Sequence, residues 1–271
     1  MSNKKDSLGD RMKENYENRA KTYLVRRMPV VIRLDGKAFH TFTKGFKRPY
    51  DEILHKTMNE TMKYLCENIQ GCKLGYTQSD EITLLLTDYD TLTTDAWFDN
   101  NVQKICSVSA SMATMAFNKF FAYEYEFYNT THPEDWEAVP IGTKSYGMIL
   151  YSKLCNAMFD SRCFNTPEDE VTNCFVWRQQ DATRNAIQML GQTHFSHKEL
   201  HKKSTSDIQE MLWQKGINFN DMPIEFKRGV CCYKRSVERN GTFRSEWYID
   251  KECPIFTQDR NYIERFLPKE N

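Results

Sequence analysis

The stretch "VVIRLDGKAFHTF", residues 30–42, decides how this sequence is interpreted. Its first three residues are β-branched and apolar, a pattern that favours a buried strand. The strand predicted over residues 29–35 then ends in Asp35 and Gly36. That dipeptide is typical of an ordinary turn, but a carboxylate at the mouth of a sheet is also well placed to hold a metal ion.

The composition is that of a soluble globular protein. The 271 residues are 40% hydrophobic and 27% charged, which suits one large domain or two small ones with a substantial core. The opening "MSNKKDSLGDRMKEN" lacks the apolar core of a signal peptide, and no apolar run is long enough to span a membrane. None of the nine cysteines forms a C-x-x-C pair. We therefore expect a cytoplasmic protein with reduced thiols and no membrane attachment.

Charge is distributed unevenly although the formal net charge is zero. Residues 1–50 carry 13 Lys and Arg against 5 Asp and Glu, whereas residues 81–140 carry 2 against 10. Phosphate binding depends on local charge, so a neutral total is compatible with a basic face that binds nucleic acid. Two solvated surface regions would produce the same count, and charge alone does not choose between these readings.

The order of predicted elements indicates a fold class. Apolar spacing predicts a first helix over residues 6–21, then a strand at 29–35 and a helix at 50–69. Two strands follow within 72–88, with a polar turn between them, and then a buried helix at 100–121 and a strand at 159–164. That order is the split βαβ, ferredoxin-like arrangement. We therefore predict an α+β fold with a ferredoxin-like core over residues 1–165.

Residues 166–271 are predicted to form a helical and hairpin extension. The patterns indicate a long helix from Pro167 to about Leu190 and a helix capped by Ser204 or Ser206 that stops at Gly216. A hairpin follows over 229–249, with its turn at Asn240-Gly241. We expect this region to pack on the core as one unit.

A second acidic motif lies in "YTQSDEITLLL", residues 76–86, at the predicted hairpin turn. We expect Asp35 and Asp80 to face each other across neighbouring strands, with Asp80 rather than Glu81 as the ligand. Two such carboxylates can share a pair of Mg²⁺ ions about 3.5–4 Å apart and promote phosphoryl transfer. Gly36, without a Cβ, would let a triphosphate approach the backbone. Each motif alone is typical of a turn, but together they favour a two-metal site.

Four long motifs in order resemble the tRNA-histidine guanylyltransferase superfamily. They are "VVIRLDGKAFHTFTKGFKRPYD" (30–51), "GYTQSDEITLLL" (75–86), "FDSRCFNTPEDEVTNCFVWRQQDATRN" (159–185) and "KSTSDIQEML" (203–212). The resemblance implies a palm fold like that of canonical polymerases and nucleotidyl cyclases. It also implies an enzyme that adds nucleotides to the 5′ end of tRNA, so that the chain grows from 3′ to 5′.

The resemblance also implies the site residues. It assigns catalysis to Asp35, Asp80 and Glu81, and two Mg²⁺ ions to Asp35, the Gly36 carbonyl and Asp80. The implied nucleotide-binding residues are Arg33, Lys37, Ala38, Phe39, His40, Arg48, Ser79 and Lys104. For tRNA, motif positions and basic stretches together suggest Arg162, Arg178, Asn185, Lys198 and Lys203.

The implied reaction uses ATP and GTP. A 5′-monophosphorylated tRNA is first adenylylated by ATP, and the 3′-hydroxyl of an incoming nucleotide then attacks the activated phosphate and releases AMP. A tRNA that already carries a 5′-triphosphate skips the activation. Family resemblance further implies a homotetramer. No dedicated general base is evident, since a single histidine near a turn, such as His40, is more often structural.

One departure from the family pattern separates two branches. After W-R-Q-x-D the eukaryotic enzymes read roughly H-I-N-N-L-Y, whereas residues 182–190 here are "ATRNAIQML". This resembles the guanylyltransferase-like branch of bacteria and archaea and favours template-dependent repair of 5′-truncated tRNA. The alternatives are addition of G at the −1 position of tRNA-His, a palm nucleotidyltransferase such as a cyclase that acts on small molecules, and a non-catalytic RNA-binding palm.

Overall fold

One six-stranded antiparallel sheet carries the fold, in the spatial order β4-β1-β3-β2-β5-β6. The structure is a computed structural model and describes residues 7–136, 144–239 and 241–268. The strands are β1 (Val30–Gly36), β2 (Cys72–Gln78), β3 (Glu81–Leu86), β4 (Phe159–Asn165), β5 (Val230–Arg239) and β6 (Thr242–Asp250). The first four adopt the ferredoxin-like order, so the α+β prediction is confirmed.

Helices cover both faces of this sheet. They are α1 (Leu8–Asn15), α2 (Phe39–Phe42), α3 (Glu52–Asn68), α4 (Val102–Thr131), α5 (Tyr146–Tyr151), α6 (Glu168–His194), α7 (His197–Leu200), α8 (Thr205–Gln214), α9 (Ile224–Arg228) and α10 (Asn261–Glu264). Short 3₁₀ turns lie at Glu17–Ala20, Trp97–Asn100, Pro133–Trp136 and Phe219–Asp221. Within the described ranges, no helix is both long and apolar enough to cross a membrane.

The first helix is shorter than predicted. It ends at Asn15, and a 3₁₀ turn follows in place of the continuous helix predicted to residue 21. None of its residues is buried, and the predicted apolar stripe, including Leu8 and Tyr16, lies exposed to solvent. Amphipathic spacing indicates a helix but does not reveal whether a partner surface covers its apolar side.

Helices α3 and α4 pack on one face of the sheet. Ile32 and Leu34 of β1 point into this layer, and the predicted inner side of α3 is buried except for Leu54. Phe117 of α4 is fully buried and contacts the rings of Phe39, Phe42, Phe121 and Phe159. This aromatic cluster joins the loop after β1 to α4 and β4, and it therefore supports the segment that carries Asp35.

The other face is covered by α6 and the C-terminal segments. Val171 and Phe175 of α6 pack on Leu74, Tyr76 and Leu85 of the central strands. The C-terminal hairpin pairs with β2 through β5, so the sheet continues across the predicted boundary at residue 165, and that boundary stays a prediction. Gly241 takes a φ of +73° at the hairpin turn, whereas Asn240 lies outside the described residues.

The predicted C-terminal helices are present. Helix α6 covers the predicted span and continues to His194. Of the two candidate caps, Ser204 begins α8: its hydroxyl accepts a bond from the Asp207 amide, and the Asp207 carboxylate accepts one from the Ser204 amide. Gly216 follows the helix with a φ of +77°, as a C-terminal stop requires.

Removal of the Phe117 ring tests how strongly the aromatic cluster supports the fold. We expect Phe117→Ala to lower the free energy of unfolding by about 3–5 kcal/mol, because it leaves a cavity among four other rings. The matched control is Phe127→Ala on the same helix, where the ring is 64% exposed and the expected change is within about 0.5 kcal/mol. Urea unfolding of both variants measures the difference, and equal changes would contradict the assignment of the cluster as core.

Candidate active site

Two carboxylates meet at one edge of the sheet. Asp35 lies near the end of β1, and Asp80 lies in the two-residue turn between β2 and β3. The Gly36 amide donates a 3.1 Å bond to the Asp80 carbonyl, which fixes the turn against the end of β1. The cross-strand partners of Asp35 are Glu81 on β3 and Asp160 on β4. Asp80 is therefore a neighbour of Asp35 through the turn and not, as predicted, its partner across strands.

The turn has a defined conformation. Ser79 takes a φ of +55°, and its hydroxyl donates a 3.0 Å bond to Oδ1 of Asp80. Gly36 has a packing role that the sequence did not reveal, since a Cβ there would lie 2.3 Å from the Phe39 ring. The glycine therefore lets the aromatic core reach up to the acidic edge of the sheet.

Burial and repulsion from neighbouring carboxylates both raise the pKa of the two acids. Burial raises the pKa of Asp80 to about 6; the bond from Ser79 opposes the rise and the nearby charge of Asp35 adds to it. Burial also raises the pKa of Asp35, and the charges of Glu81 and Asp160 raise it further. Carboxylates in this situation are stabilised by a bound cation, which relieves their repulsion.

The donors at this edge fit Mg²⁺. The ion binds oxygen, keeps several waters, and is usually held by one or two carboxylates together with substrate phosphates. Asp35, Asp80 and the Gly36 carbonyl supply such a partial set. In the described part of the chain, no group of three or more His, Cys, Asp or Glu side chains is arranged as a metal site. Any ion here would therefore depend on water and phosphate for its remaining ligands.

Glu81 is engaged in a different way. One carboxylate oxygen accepts a 3.1 Å bond from Arg33, and the other accepts a short bond from Arg178. Arg178 is 5% exposed and also bonds Asp181 at 2.8 Å. Glu81 thus acts in the structure as the centre of an ion-pair network that ties α6 to β3. Arg178 is buried in this network, and its predicted contact with tRNA stays a prediction.

The loop after β1 holds four of the predicted nucleotide-binding residues. Lys37, Ala38 and His40 are exposed, whereas the Phe39 ring is buried in the aromatic cluster. The Phe39 ring is therefore not open to a ligand, and the predicted nucleotide contact of this residue stays a prediction. Ala38 takes a φ of +55° where the chain turns into α2.

A cavity of about 150 Å³ opens beside the turn. Ser79 and Arg48, both predicted nucleotide contacts, line it. Half of its remaining lining is aromatic or aliphatic and half is polar, from the loop 43–51 and from β2, α3, α6 and α9. Lys104, by contrast, lies in a separate recess with Tyr23 and Arg26. The structure therefore brings Arg48 and Ser79 together but places Lys104 elsewhere.

The sequence analysis missed a polar cluster on the cavity wall. Glu225 of α9 accepts bonds from the Tyr50 hydroxyl at 3.0 Å and Lys251 at 3.2 Å, and its other contact is with His55 Nε2 at 2.9 Å. The bond to His55 lowers the pKa of Glu225 to about 2. These residues are separated by up to 201 positions in the chain, so no local motif indicates that they meet.

The other four predicted tRNA contacts lie on β4, on α6 and beyond the end of α6. Arg162 pairs with Arg33 in the β1–β4 register, and its side chain is 58% exposed beside Asp160. Asn185 is half-buried on α6, next to the cavity-lining Ala186. Lys198 and Lys203 are exposed beyond the end of α6. Their contact with tRNA stays a prediction.

The two acidic motifs lie inside the region that matches a known family. The family model described as tRNAHis guanylyltransferase, Thg1, matches residues 9–167. The chain belongs to this family. Members of the Thg1 family are nucleotidyltransferases, and this chain is a nucleotidyltransferase by that membership.

Solved structures extend the likeness across the chain. A bacterial tRNA(His) guanylyltransferase (Thg1)-like protein in complex with ATP is 45% identical, with a TM-score of 0.77 over 96% of this chain and 98% of its own. The structure in complex with GTP is 44% identical, with a TM-score of 0.75 over 96% of this chain and 99% of its own. The curated tRNA(His) guanylyltransferase of Saccharomyces cerevisiae is 28% identical over 74% of this chain and 80% of its own length.

Magnesium should bind the acid pair in a pH-dependent way. We expect Mg²⁺ to raise the melting temperature at pH 7.5 and to do so much less at pH 5, because protons compete for an Asp80 carboxylate whose pKa is about 6. Asp80→Asn should abolish the shift, while the exposed control Asp169→Asn keeps it. An equal shift at both pH values in the wild type would contradict binding at this pair.

Loss of the buried guanidinium should be costly. Arg178→Met leaves Glu81 and Asp181 without their shared cation, and we expect it to lower the free energy of unfolding by about 3–5 kcal/mol. Arg184→Met is the matched control, since Arg184 bonds the same Asp181 from a 60% exposed position and should contribute about 1 kcal/mol or less. Similar losses in the two variants would show that the network is not the joint between α6 and β3.

Proposed function

We propose that this enzyme adds nucleotides to the 5′ end of tRNA, in the 3′–5′ direction. The observation that carries the proposal is the pair Asp35 and Asp80 at the edge of a ferredoxin-like sheet, both with raised pKa. Membership of the Thg1 family supports tRNA as the substrate. The ATP and GTP complexes of the bacterial relative support these nucleotides as the partners of this chain.

Asp35, Asp80 and the Gly36 carbonyl are the groups that would hold Mg²⁺. Bound there, the metal would supply Lewis-acid stabilisation of charge on the phosphoryl oxygens. The chain's own residues position these donors. Ser79 orients the Asp80 carboxylate by its hydrogen bond, and the Gly36 amide fixes the turn. Glu81 acts as a positioning residue, because both of its oxygens are held by arginines.

The cavity beside Ser79 is the proposed nucleotide pocket. Phe46, Leu54, Met58 and other apolar side chains supply surfaces for a base, and Arg48 supplies positive charge for phosphates. Ser79 belongs to both the cavity wall and the acidic turn, so a nucleotide in the pocket lies next to the carboxylates. Positioning of this kind accounts for much of the rate of a displacement at phosphorus.

The reaction balances as two displacements. The 5′-phosphate of tRNA attacks the α-phosphate of ATP, and pyrophosphate leaves. The 3′-hydroxyl of the incoming nucleotide then attacks the activated 5′-phosphate, loses its proton, and displaces AMP. Water accepts that proton in this proposal, since no described side chain is assigned as a general base.

Two tRNA reactions share this chemistry. Addition of G to tRNA-His agrees best with the names of the family and of the yeast relative, so it is the leading candidate. Repair of 5′-truncated tRNA is the second candidate. It is supported by the departure at residues 182–190 and by the higher identity to the bacterial Thg1-like protein than to the yeast enzyme. A homotetramer in the cytoplasm remains part of the proposal.

Two non-tRNA alternatives are less well supported. A non-catalytic RNA-binding palm would not need two neighbouring acids with raised pKa beside a pocket, and this chain has both acids. A cyclase-like enzyme that acts on small molecules would explain the acids but not the match to a tRNA-modifying family.

Nucleotide addition to defined tRNAs tests the proposal. Wild-type enzyme with Mg²⁺ and all four NTPs is given two substrates with a 5′-monophosphate, full-length tRNA-His and a tRNA that lacks its first nucleotide. In each substrate, the base opposite the position of addition is varied. We expect G on tRNA-His whatever base lies opposite if the leading candidate is right. Additions that follow the opposite base on the truncated tRNA would favour repair.

Controls separate catalysis from folding. Asp80→Asn should lower the rate by at least about a hundredfold, since it removes a charge that the transition state requires. Asp169→Asn should keep the wild-type rate. No addition by wild-type enzyme to either tRNA would overturn the proposed function and favour the cyclase or binding alternatives.

A further inference from the structure

An exposed tryptophan lies beside the acidic edge and has no part in the mechanism described so far. Trp177 on α6 is 50% exposed, although indole rings are usually well covered. Its ring centroid lies 5.1 Å from the guanidinium carbon of Arg33 and 4.4 Å from that of Arg178. Both distances are within the range of cation–π contact.

Those two arginines hold the ring in place. Arg33 and Arg178 are each bonded to Glu81, and Arg178 is also bonded to Asp181. The indole therefore contacts side chains that are themselves fixed by ion pairs. Because the ring is already ordered, a ligand that stacks on it costs little conformational entropy. A rigid aromatic surface that stays open to solvent is well suited to binding a flat partner.

The ring lies close to the proposed reaction centre. Arg33 and Asp35 point to the same face of β1 and are separated by about 7 Å along the strand, two residues at the usual rise. On the neighbouring strand, Arg162 pairs with Arg33 and has an exposed side chain. Strands β1 and β4 next to Trp177 therefore carry a carboxylate, Asp35, and an exposed cation, Arg162.

We propose that Trp177 is a stacking platform for the base at the 5′ end of the RNA substrate, with Arg162 near the adjoining backbone. This inference rests on the proposed function and names how that same site holds its RNA. Stacking tolerates any base, which suits an enzyme that must accept a terminal nucleotide without reading its edge. A mononucleotide is not the expected occupant, since the cavity beside Ser79 already provides one with a base pocket.

A double-mutant cycle, with one change in the protein and one in the RNA, tests the platform. Binding of tRNA to wild type, Trp177→Ala and Trp177→Phe is measured at fixed salt without nucleotides, with the first nucleotide intact or abasic. We expect Trp177→Ala to weaken binding of intact tRNA by about tenfold or more, as loss of one base–aromatic stack does. Trp177→Phe should restore most of the affinity. The abasic tRNA should bind wild type weakly, and Trp177→Ala should weaken it no further.

Two controls guard against indirect effects. Trp213→Ala removes another exposed indole, 62% accessible on α8, and should leave tRNA binding unchanged. Affinity for ATP and the melting temperature should be unchanged in Trp177→Phe, which also keeps the inference testable if Trp177→Ala folds poorly. An equal loss for intact and abasic tRNA, a loss of ATP affinity instead, or no loss would each overturn the platform.

The outcomes also separate this inference from the proposed function. Normal nucleotide addition and normal tRNA affinity in Trp177→Ala would refute the platform while the function stands. If wild-type enzyme adds no nucleotide but the binding cycle shows coupling, the platform stands and the proposed reaction fails.

Discussion

The bonds made by Arg178 join the two halves of this fold at the acidic edge. Its guanidinium is buried, and burial of a charge is costly unless it is paired. The pairing is supplied by Glu81 from the hairpin strand and Asp181 from α6 itself. An arrangement of this kind need not contribute much net stability, but it admits one register of the helix on the sheet. The hairpin that carries Asp80 is thereby held against α6.

That constraint explains why adjacent acids of the hairpin have different roles. Asp80 lies in the turn, where Ser79 and the proximity of Asp35 leave its carboxylate available to a cation. Glu81 is the first residue of β3, and its carboxylate reaches two arginines. A single step along the chain thus separates a group suited to metal binding from one that organises the protein. Exchange of the two side chains would place a longer carboxylate in the turn. The shorter aspartate at position 81 would then not reach the guanidiniums of Arg33 and Arg178.

Local patterns in the sequence were sufficient for the sheet, the main helices and the acid pair. β-branched runs, the hairpin signal and the apolar stripe of α3 each depend on neighbours a few residues apart, so the strand order and the positions of Asp35 and Asp80 were predictable. The environment of Arg178 was not predictable, because a basic residue on a helix is more often exposed, and only the fold shows that Glu81 contacts it.

The cluster of Tyr50, His55 and Glu225 was not predicted for a related reason, since it forms only when α9 packs next to α3. The burial of the Phe39 ring was likewise not evident from the sequence, since the rings that surround it come from distant segments.

The three consecutive residues of the W-R-Q motif show how one helix turn serves three parts of the molecule. Successive helical side chains point about 100° apart, so Trp177, Arg178 and Gln179 face three different parts of the structure. Trp177 points to Arg33 on β1, and Arg178 to the ion pairs on β3. Gln179 is buried on the third side, where its amide donates to the Pro254 carbonyl at 2.9 Å and its oxygen accepts from the Phe256 amide at 2.8 Å. The motif therefore fixes the C-terminal segment, the sheet and the exposed ring relative to one another. A shift of α6 by one residue would break all three sets of contacts together, which explains physically why residues this different occupy adjacent positions.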